Sequence, residues 1–133
     1  MPILLFAILL QTATPSFRTV EKGAQSLVDS ARQVTARTDA EWQAIWRQHS
    51  PARALPAVDF AREMVVGIFL GSRPTAGYGA DVAAVRDEQG VLIVQYRETQ
   101  PGPERITAQV LTSPYHLIAV PKHDGAVRFE KIN

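Results

Sequence analysis

The residues whose types are best suited to binding or catalysis lie between two apolar segments, in the stretch FLGSRPTAGYGADV at 69–82. Three glycines, a serine, an arginine and a tyrosine in so short a span are typical of phosphate loops, active-site mouths and rigid recognition turns. A phosphate loop needs a lysine after its late glycine and a helix that begins there. Tyr78 stands in place of that lysine, and the residues after it have the pattern of a strand. The missing helix also excludes a dinucleotide-binding loop.

A small hydrolase is the next possibility. Its nucleophile would be Ser72 or Ser113, its base His116, and Asp81 would orient the base. Such catalysis needs a serine within hydrogen-bond reach of a base that a third group holds in place. Neither serine lies in a nucleophile-elbow sequence, and His116 falls in an apolar strand segment, where histidine is more often a hydrogen-bonded core or edge residue. We therefore predict that the chain has no catalytic residues.

The histidines also argue against a metal site. His49, His116 and His123 fall in a predicted helix, a strand and a loop, without the short ligand pairs that metal sites draw from one element. The chain has no cysteine, which excludes thiolate zinc sites, thiol nucleophiles, disulfides and a lipid anchor on cysteine. We expect neither a metal nor another cofactor.

Recognition of a protein remains for the glycine-rich loop. Gly71, Gly77 and Gly79 permit positive φ or close backbone approach, while Pro74 stiffens the middle of the loop. Tyr78 is a rigid amphipathic side chain of the kind enriched at interfaces. The alternative is a purely structural connection in which Tyr78 packs inward, and the sequence leaves both open.

Composition excludes several classes of partner. The 133 residues suffice for one domain, and 46% apolar with 20% charged residues is the composition of a globular protein. The formal net charge is +1 and the basic residues are scattered singly. Neither nucleic acid nor an anionic membrane is therefore expected as a partner.

The N-terminus has the pattern of an export signal. Residues 3–10 form an uncharged apolar block that is too short to span a bilayer but fits the core of a signal peptide. Small and polar residues follow it, so we predict a signal peptide at 1–13 and a single mature domain at 14–133. The expected location is the periplasm or the exterior. A first buried strand, or a start assigned too late, is the alternative, because no basic residue precedes the block.

One amphipathic helix is predicted near the N-terminus of the mature chain. Thr38 and Glu41 form a capping box, and apolar residues then recur at helical spacing. Trp42 and Trp46 share one face, which indicates packing against a sheet. Ser50 and the following proline end the helix.

The remainder has the texture of short strands joined by tight turns. Strands are predicted at 63–70, 80–85, 91–97, 105–111, 115–120 and 126–129. Strand and helix do not alternate, which argues against a doubly wound sheet. The predicted fold is α+β but mainly β, an antiparallel sheet or a flattened sandwich or barrel of six to seven strands with one N-terminal helix.

Three motifs resemble the PrcB C-terminal domain family, described as a protease complex subunit or protease-stability protein. They are GIFLGSRPTAGYGADV, then VQYRETQPGP, then QVLTSPYHLIAVPK, and the likeness is strongest over 60–129. The resemblance implies an exported, non-catalytic protein that associates with a secreted protease and stabilises it. Without a lipobox cysteine the mature protein would be free of a membrane anchor. A structural domain of a cell-envelope assembly is the alternative.

The motifs also supply a set of candidate partner-binding residues. We expect the loop at 71–79 and the junction at 112–115 to lie at one end of the sheet, with Tyr78 and Tyr115 as anchors. The candidate residues are Gly71, Arg73, Thr75, Gly77, Tyr78, Thr112, Ser113 and Tyr115.

Overall fold

The computed structural model describes residues 15–133, so the predicted signal peptide at 1–13 lies outside the described residues. This part of the chain forms seven strands and one helix. In chain order they are β1 (Arg18–Gly23), β2 (Arg32–Ala36), α1 (Asp39–His49), β3 (Glu63–Phe69), β4 (Gly79–Glu88), β5 (Val91–Thr99), β6 (Tyr115–Pro121) and β7 (Val127–Lys131). Within the same residues, no helix has the length and apolar character needed to cross a membrane.

The first sheet has four antiparallel strands in the order β1-β6-β3-β2. Its two central strands, β3 and β6, are buried almost from end to end. Burial on both faces explains why their sequences are continuously apolar rather than alternating. Gly67 leaves room for the side chain of Leu117, its partner on β6, since a Cβ at Gly67 would lie 2.4 Å from Leu117 Cδ2.

The second sheet has the order β4-β5-β7. The β4–β5 hairpin turns at Gln89 and Gly90, both with positive φ, and Glu88 pairs directly with Val91. The glycine of the connection suggests a left-handed bulge; the left-handed conformation is present, but it lies in a two-residue turn. β7 pairs with β5 in parallel. The expectation of a purely antiparallel sheet is therefore wrong, and in residues 15–133 the strands form two sheets rather than a closed barrel. After β6 in the first sheet, the chain returns to the second sheet, where β7 lies beside β5.

Two cores lie on the two faces of the first sheet. One fills the space between the sheets and includes Met64, Ile118 and Val94. The other lies under the helix and includes Trp42, Phe69 and Leu117. The described chain is thus three layers: a helix, a four-stranded sheet and a three-stranded sheet.

The helix follows two strands and has the predicted N-cap, because Thr38 Oγ1 accepts a hydrogen bond from Glu41 N–H at 3.2 Å. Trp42 and Trp46 are almost fully buried against the first sheet. Each indole donates its N–H to a backbone oxygen, to Pro56 at 3.0 Å and to Arg53 at 2.9 Å. These bonds fix the loop after the helix, so both tryptophans are structural residues.

The strand predicted at 105–111 is wrong, because the structure gives this segment no ladder partner. The segment crosses from β5 in one sheet to β6 in the other, so neither sheet continues along it. Its alternating pattern is real, but the apolar side faces solvent: Ile106 is fully exposed, whereas Thr107 lies against the glycine-rich loop.

Candidate functional site

The glycine-rich loop at 71–79 connects β3 in the first sheet to β4 in the second. Gly71 has a φ of 83° and Gly77 a φ of 94°. A Cβ at Gly71 would lie 2.8 Å from Ala31 N, and one at Gly77 would lie 2.9 Å from Pro101 Cβ. Both conformation and space therefore require glycine at these two positions.

Hydrogen bonds hold this loop against the segment that precedes β6. Arg73 and Thr112 exchange backbone bonds of 2.8 and 3.0 Å, and Thr112 Oγ1 donates to Thr75 O at 2.9 Å. Farther along, Ala76 N–H donates to Ala108 O at 3.0 Å. The expectation that the 71–79 loop and the 112–115 junction lie at one end of the sheet is confirmed by these contacts.

An ion pair ties the loop to the second sheet as well. The Arg73 guanidinium donates to both oxygens of Glu98, at 2.7 and 2.9 Å, and Lys131 Nζ lies 3.3 Å from one of them. The Glu98 side chain is 4% exposed. The hydrogen bond from Arg73 holds the pKa of Glu98 below its ordinary value, against the opposing effect of burial. Arg73 is consequently a structural clamp as much as a surface residue.

The candidate residues divide by accessibility. Gly71, Thr112, Ser113 and Tyr115 are buried. Gly77 is exposed, and Arg73, Thr75 and Tyr78 are partly exposed. The second group is therefore accessible to solvent at this end of the molecule, whereas the first group is covered.

Tyr115 belongs to a buried polar network that the sequence reasoning missed. Its hydroxyl donates to Glu21 on β1, and Glu21 also accepts from Arg53 and, at 2.9 Å, from His49 Nε2. Burial raises the pKa of Tyr115 to about 12. Burial also raises the pKa of Glu21, but the hydrogen bonds from Arg53, Tyr115 and His49 outweigh it and lower the pKa overall.

Ser26 completes this network with a hydrogen bond of 2.7 Å to His49 Nδ1. Serine, histidine and glutamate then stand in line, as in a hydrolase relay. The Ser26 hydroxyl, however, also accepts from Val28 N–H at 2.9 Å, and Ser26 does not line the neighbouring cavity of about 500 Å³ that His49 and Tyr115 border. Because the serine does not line this cavity, we interpret the arrangement as structural, since it links β1, the helix end and β6.

The hydrolase residues considered from sequence do not converge either. His116 is buried; its Nδ1 accepts from Val82 N–H and its Nε2 bonds Thr19 Oγ1, both at 2.8 Å. In the described chain, neither Ser72 nor Ser113 hydrogen-bonds His116. Asp81 Oδ1 lies 4.0 Å from His116 Nδ1. Both ring nitrogens of His116 are thus occupied: Nδ1 joins the two sheets through Val82 on β4, and Nε2 bonds Thr19 on β1 of the same sheet.

One sequence signal pointed to the missed network. His49 falls on the same helical stripe as Trp42 and Trp46, and a histidine on a buried stripe needs polar partners for both nitrogens. Those partners, Ser26 and Glu21, come from other elements, and no spacing rule connects them to the helix.

Comparison with known proteins gives a match to a family model. No curated protein and no solved structure matches the chain. Residues 64–121, somewhat less than half of the sequence, match the family model described as PrcB C-terminal. The matched segment begins in β3, ends with β6, and contains both the 71–79 loop and the segment that holds it. Over this segment the predicted resemblance to the PrcB C-terminal family is confirmed.

Proposed function

We propose that the chain is an exported, non-catalytic subunit that binds a secreted protease and stabilises it. The binding surface in this proposal is the exposed side of the 71–79 loop, with Tyr78 as its anchor. The observation that carries the proposal is the loop itself, which is held by hydrogen bonds to Glu98, Thr112 and Ala108 yet leaves Gly77 and Tyr78 accessible.

Rigidity matters because an ordered loop loses little conformational entropy when it binds. The loop is anchored at Arg73 to Glu98 and to Thr112, and at Ala76 to Ala108. Tyr78 is partly exposed and belongs to neither core. A half-buried tyrosine on a rigid loop is the kind of residue that carries a large share of interface energy.

The family match supports the same assignment. It covers both segments that build this end of the molecule and leaves out the helix, β1, β2 and β7. The PrcB resemblance is the reason for proposing a protease as the class of partner, and the apolar block at 3–10 is the reason for proposing export. A partner in the cell envelope that is not a protease is the alternative, and the identity of the partner separates the two.

Affinity capture from the secreted and envelope fractions of the native source tests the proposal. The purified protein and its Tyr78→Ala variant serve as baits, and retained proteins are identified and assayed for proteolysis. We expect the native bait to retain a protease and the variant to lose at least about 1 kcal/mol of binding free energy. The half-life of the recovered protease, with and without the bait, then tests stabilisation.

Leu55→Ala is the matched control, because Leu55 is an exposed apolar residue outside the 71–79 loop. Its bait should retain the partner as the native protein does. Thermal unfolding of each variant is measured alongside. A Tyr78→Ala variant that unfolds much earlier yet binds normally would make Tyr78 a packing residue and refute the anchor. Retention of a non-proteolytic envelope protein would favour the alternative.

A further inference from the structure

The segment at 106–111 displays apolar side chains to solvent. Ile106 is 102% exposed, Leu111 72% and Val110 47%. The segment ITAQVL has no charge, and its alternating pattern is typical of a strand. Several large apolar side chains exposed within one short segment suggest an interaction site.

Within residues 15–133, only some of the backbone groups of this segment are hydrogen-bonded. Ala108 O accepts from Ala76 N–H at 3.0 Å, which directs this carbonyl toward the 71–79 loop. In an extended chain, neighbouring residues direct their backbone groups to opposite edges, so the N–H and C=O groups of Thr107 and Gln109 would point away from the loop once the segment straightens. Within residues 15–133 the backbone groups of these two residues have no hydrogen-bond partner. These backbone groups are therefore available to another chain when the segment takes a strand conformation.

The order of side chains along this segment is the same in both directions. Reading 106–110 forward or backward gives apolar, polar, apolar, polar, apolar. We propose that two copies of this chain pair here as antiparallel strands about a two-fold axis at Ala108. Ile106 of one copy then lies opposite Val110 of the other, and Thr107 lies opposite Gln109.

This register uses the free backbone groups. Thr107 and Gln109 become the hydrogen-bonded pairs, and Ala108 faces Ala108 in the non-bonded position between them. The three-residue turn in which Val110 N–H donates to Ala108 O at 3.0 Å opens as the strand straightens.

Charge favours a second copy as the occupant. An uncharged strand meets an uncharged copy of itself without repulsion, and the flanking Arg105 falls opposite Leu111 rather than another charge. A contact of two short strands is smaller than the roughly 1,200–2,000 Å² buried in stable complexes. The dimer should therefore be weak and dependent on concentration.

Sedimentation velocity of the purified protein, from about 10 μM to about 1 mM, tests the pairing without any partner protein. We expect the sedimentation coefficient to rise from monomer toward dimer over this range. Amide exchange at Thr107 and Gln109 should slow in parallel. A monomer throughout the range overturns the inference and leaves the proposed protease binding untouched.

Paired charges test the register. Ile106→Lys with Val110→Lys sets like charges opposite each other, and dimerisation should weaken at least about tenfold. Ile106→Glu with Val110→Lys sets opposite charges there, and dimerisation should return to within about threefold of the native value. Leu55→Lys, a charge at an exposed apolar residue elsewhere, is the control and should change nothing. Equal loss in both double variants would overturn the two-fold register.

Discussion

Acidification should destabilise this protein through one histidine that joins its two sheets. His116 on β6 is 3% exposed. A backbone N–H can only donate, so Val82 N–H fixes His116 Nδ1 as an acceptor at 2.8 Å, and the ring hydrogen sits on Nε2 toward Thr19. A second proton would have to enter at Nδ1, directly against the Val82 N–H of the other sheet.

The magnitude follows from the pKa. Burial, with the nearby Lys22 charge, lowers the pKa of His116 from 6.5 to about 4, and Asp81 opposes this only in part. Between about pH 6.5 and about pH 4, His116 therefore binds a proton in the unfolded chain but stays neutral in the folded chain. The free energy of unfolding is not affected by His116 above about pH 6.5, and it falls progressively as the pH is lowered from 6.5 toward 4. At about 1.4 kcal/mol per tenfold change in proton concentration, the loss is about 3 kcal/mol.

The assay is urea unfolding at a series of pH values from about 7.5 to about 4, followed by the fluorescence of the buried Trp42 and Trp46. His116→Asn is the comparison, because asparagine Oδ1 replaces Nδ1 as the acceptor for Val82 N–H and does not titrate. Carboxylates that titrate in this range act on both proteins. The free energy of unfolding of the native protein relative to the variant should fall by about 3 kcal/mol across the series. Parallel curves for the two proteins would refute the reasoning.

Two further changes test the structure of the loop by urea unfolding at neutral pH. Arg73→Met leaves the buried Glu98 carboxylate with Lys131 as its remaining ion-pair partner, and should lower the free energy of unfolding by about 3–5 kcal/mol. Lys131→Met removes the half-exposed partner of the same carboxylate, and should lower the free energy of unfolding by less than about 1 kcal/mol. Similar losses for both would contradict the clamp assigned to Arg73. Gly77→Ala should lose about 1–3 kcal/mol through positive φ and contact with Pro101, whereas Gly102→Ala, where a Cβ meets nothing within 4 Å, should be nearly neutral.

Local signals in the sequence predicted the individual elements well. The Thr38 cap, the two tryptophans on one helical face and the glycine of the β4–β5 turn are all present. Each of these depends on residues within one or two turns of each other, where spacing and backbone preference act directly. The 71–79 loop could be recognised for the same reason, since the positive φ of Gly71 and Gly77 is a local requirement of the backbone.

Assembly of the elements could not be predicted in this way. The parallel pairing of β7 with β5 and the division into two sheets depend on contacts between residues far apart in the chain. The same holds for the partners of His49, because Glu21 and Ser26 reach it only when β1 and the helix pack together.

Accessibility was also decided in three dimensions. Tyr78 and Tyr115 look alike in the sequence, each beside a turn before a strand. Packing leaves Tyr78 partly exposed and places Tyr115 between His49 and Phe69, with its hydroxyl on Glu21. For 105–111 the sequence determined an alternating, strand-like pattern, and the fold decided that its apolar side would face solvent. A pattern of period two determines which side chains lie together, but only the neighbouring layers determine which side is covered.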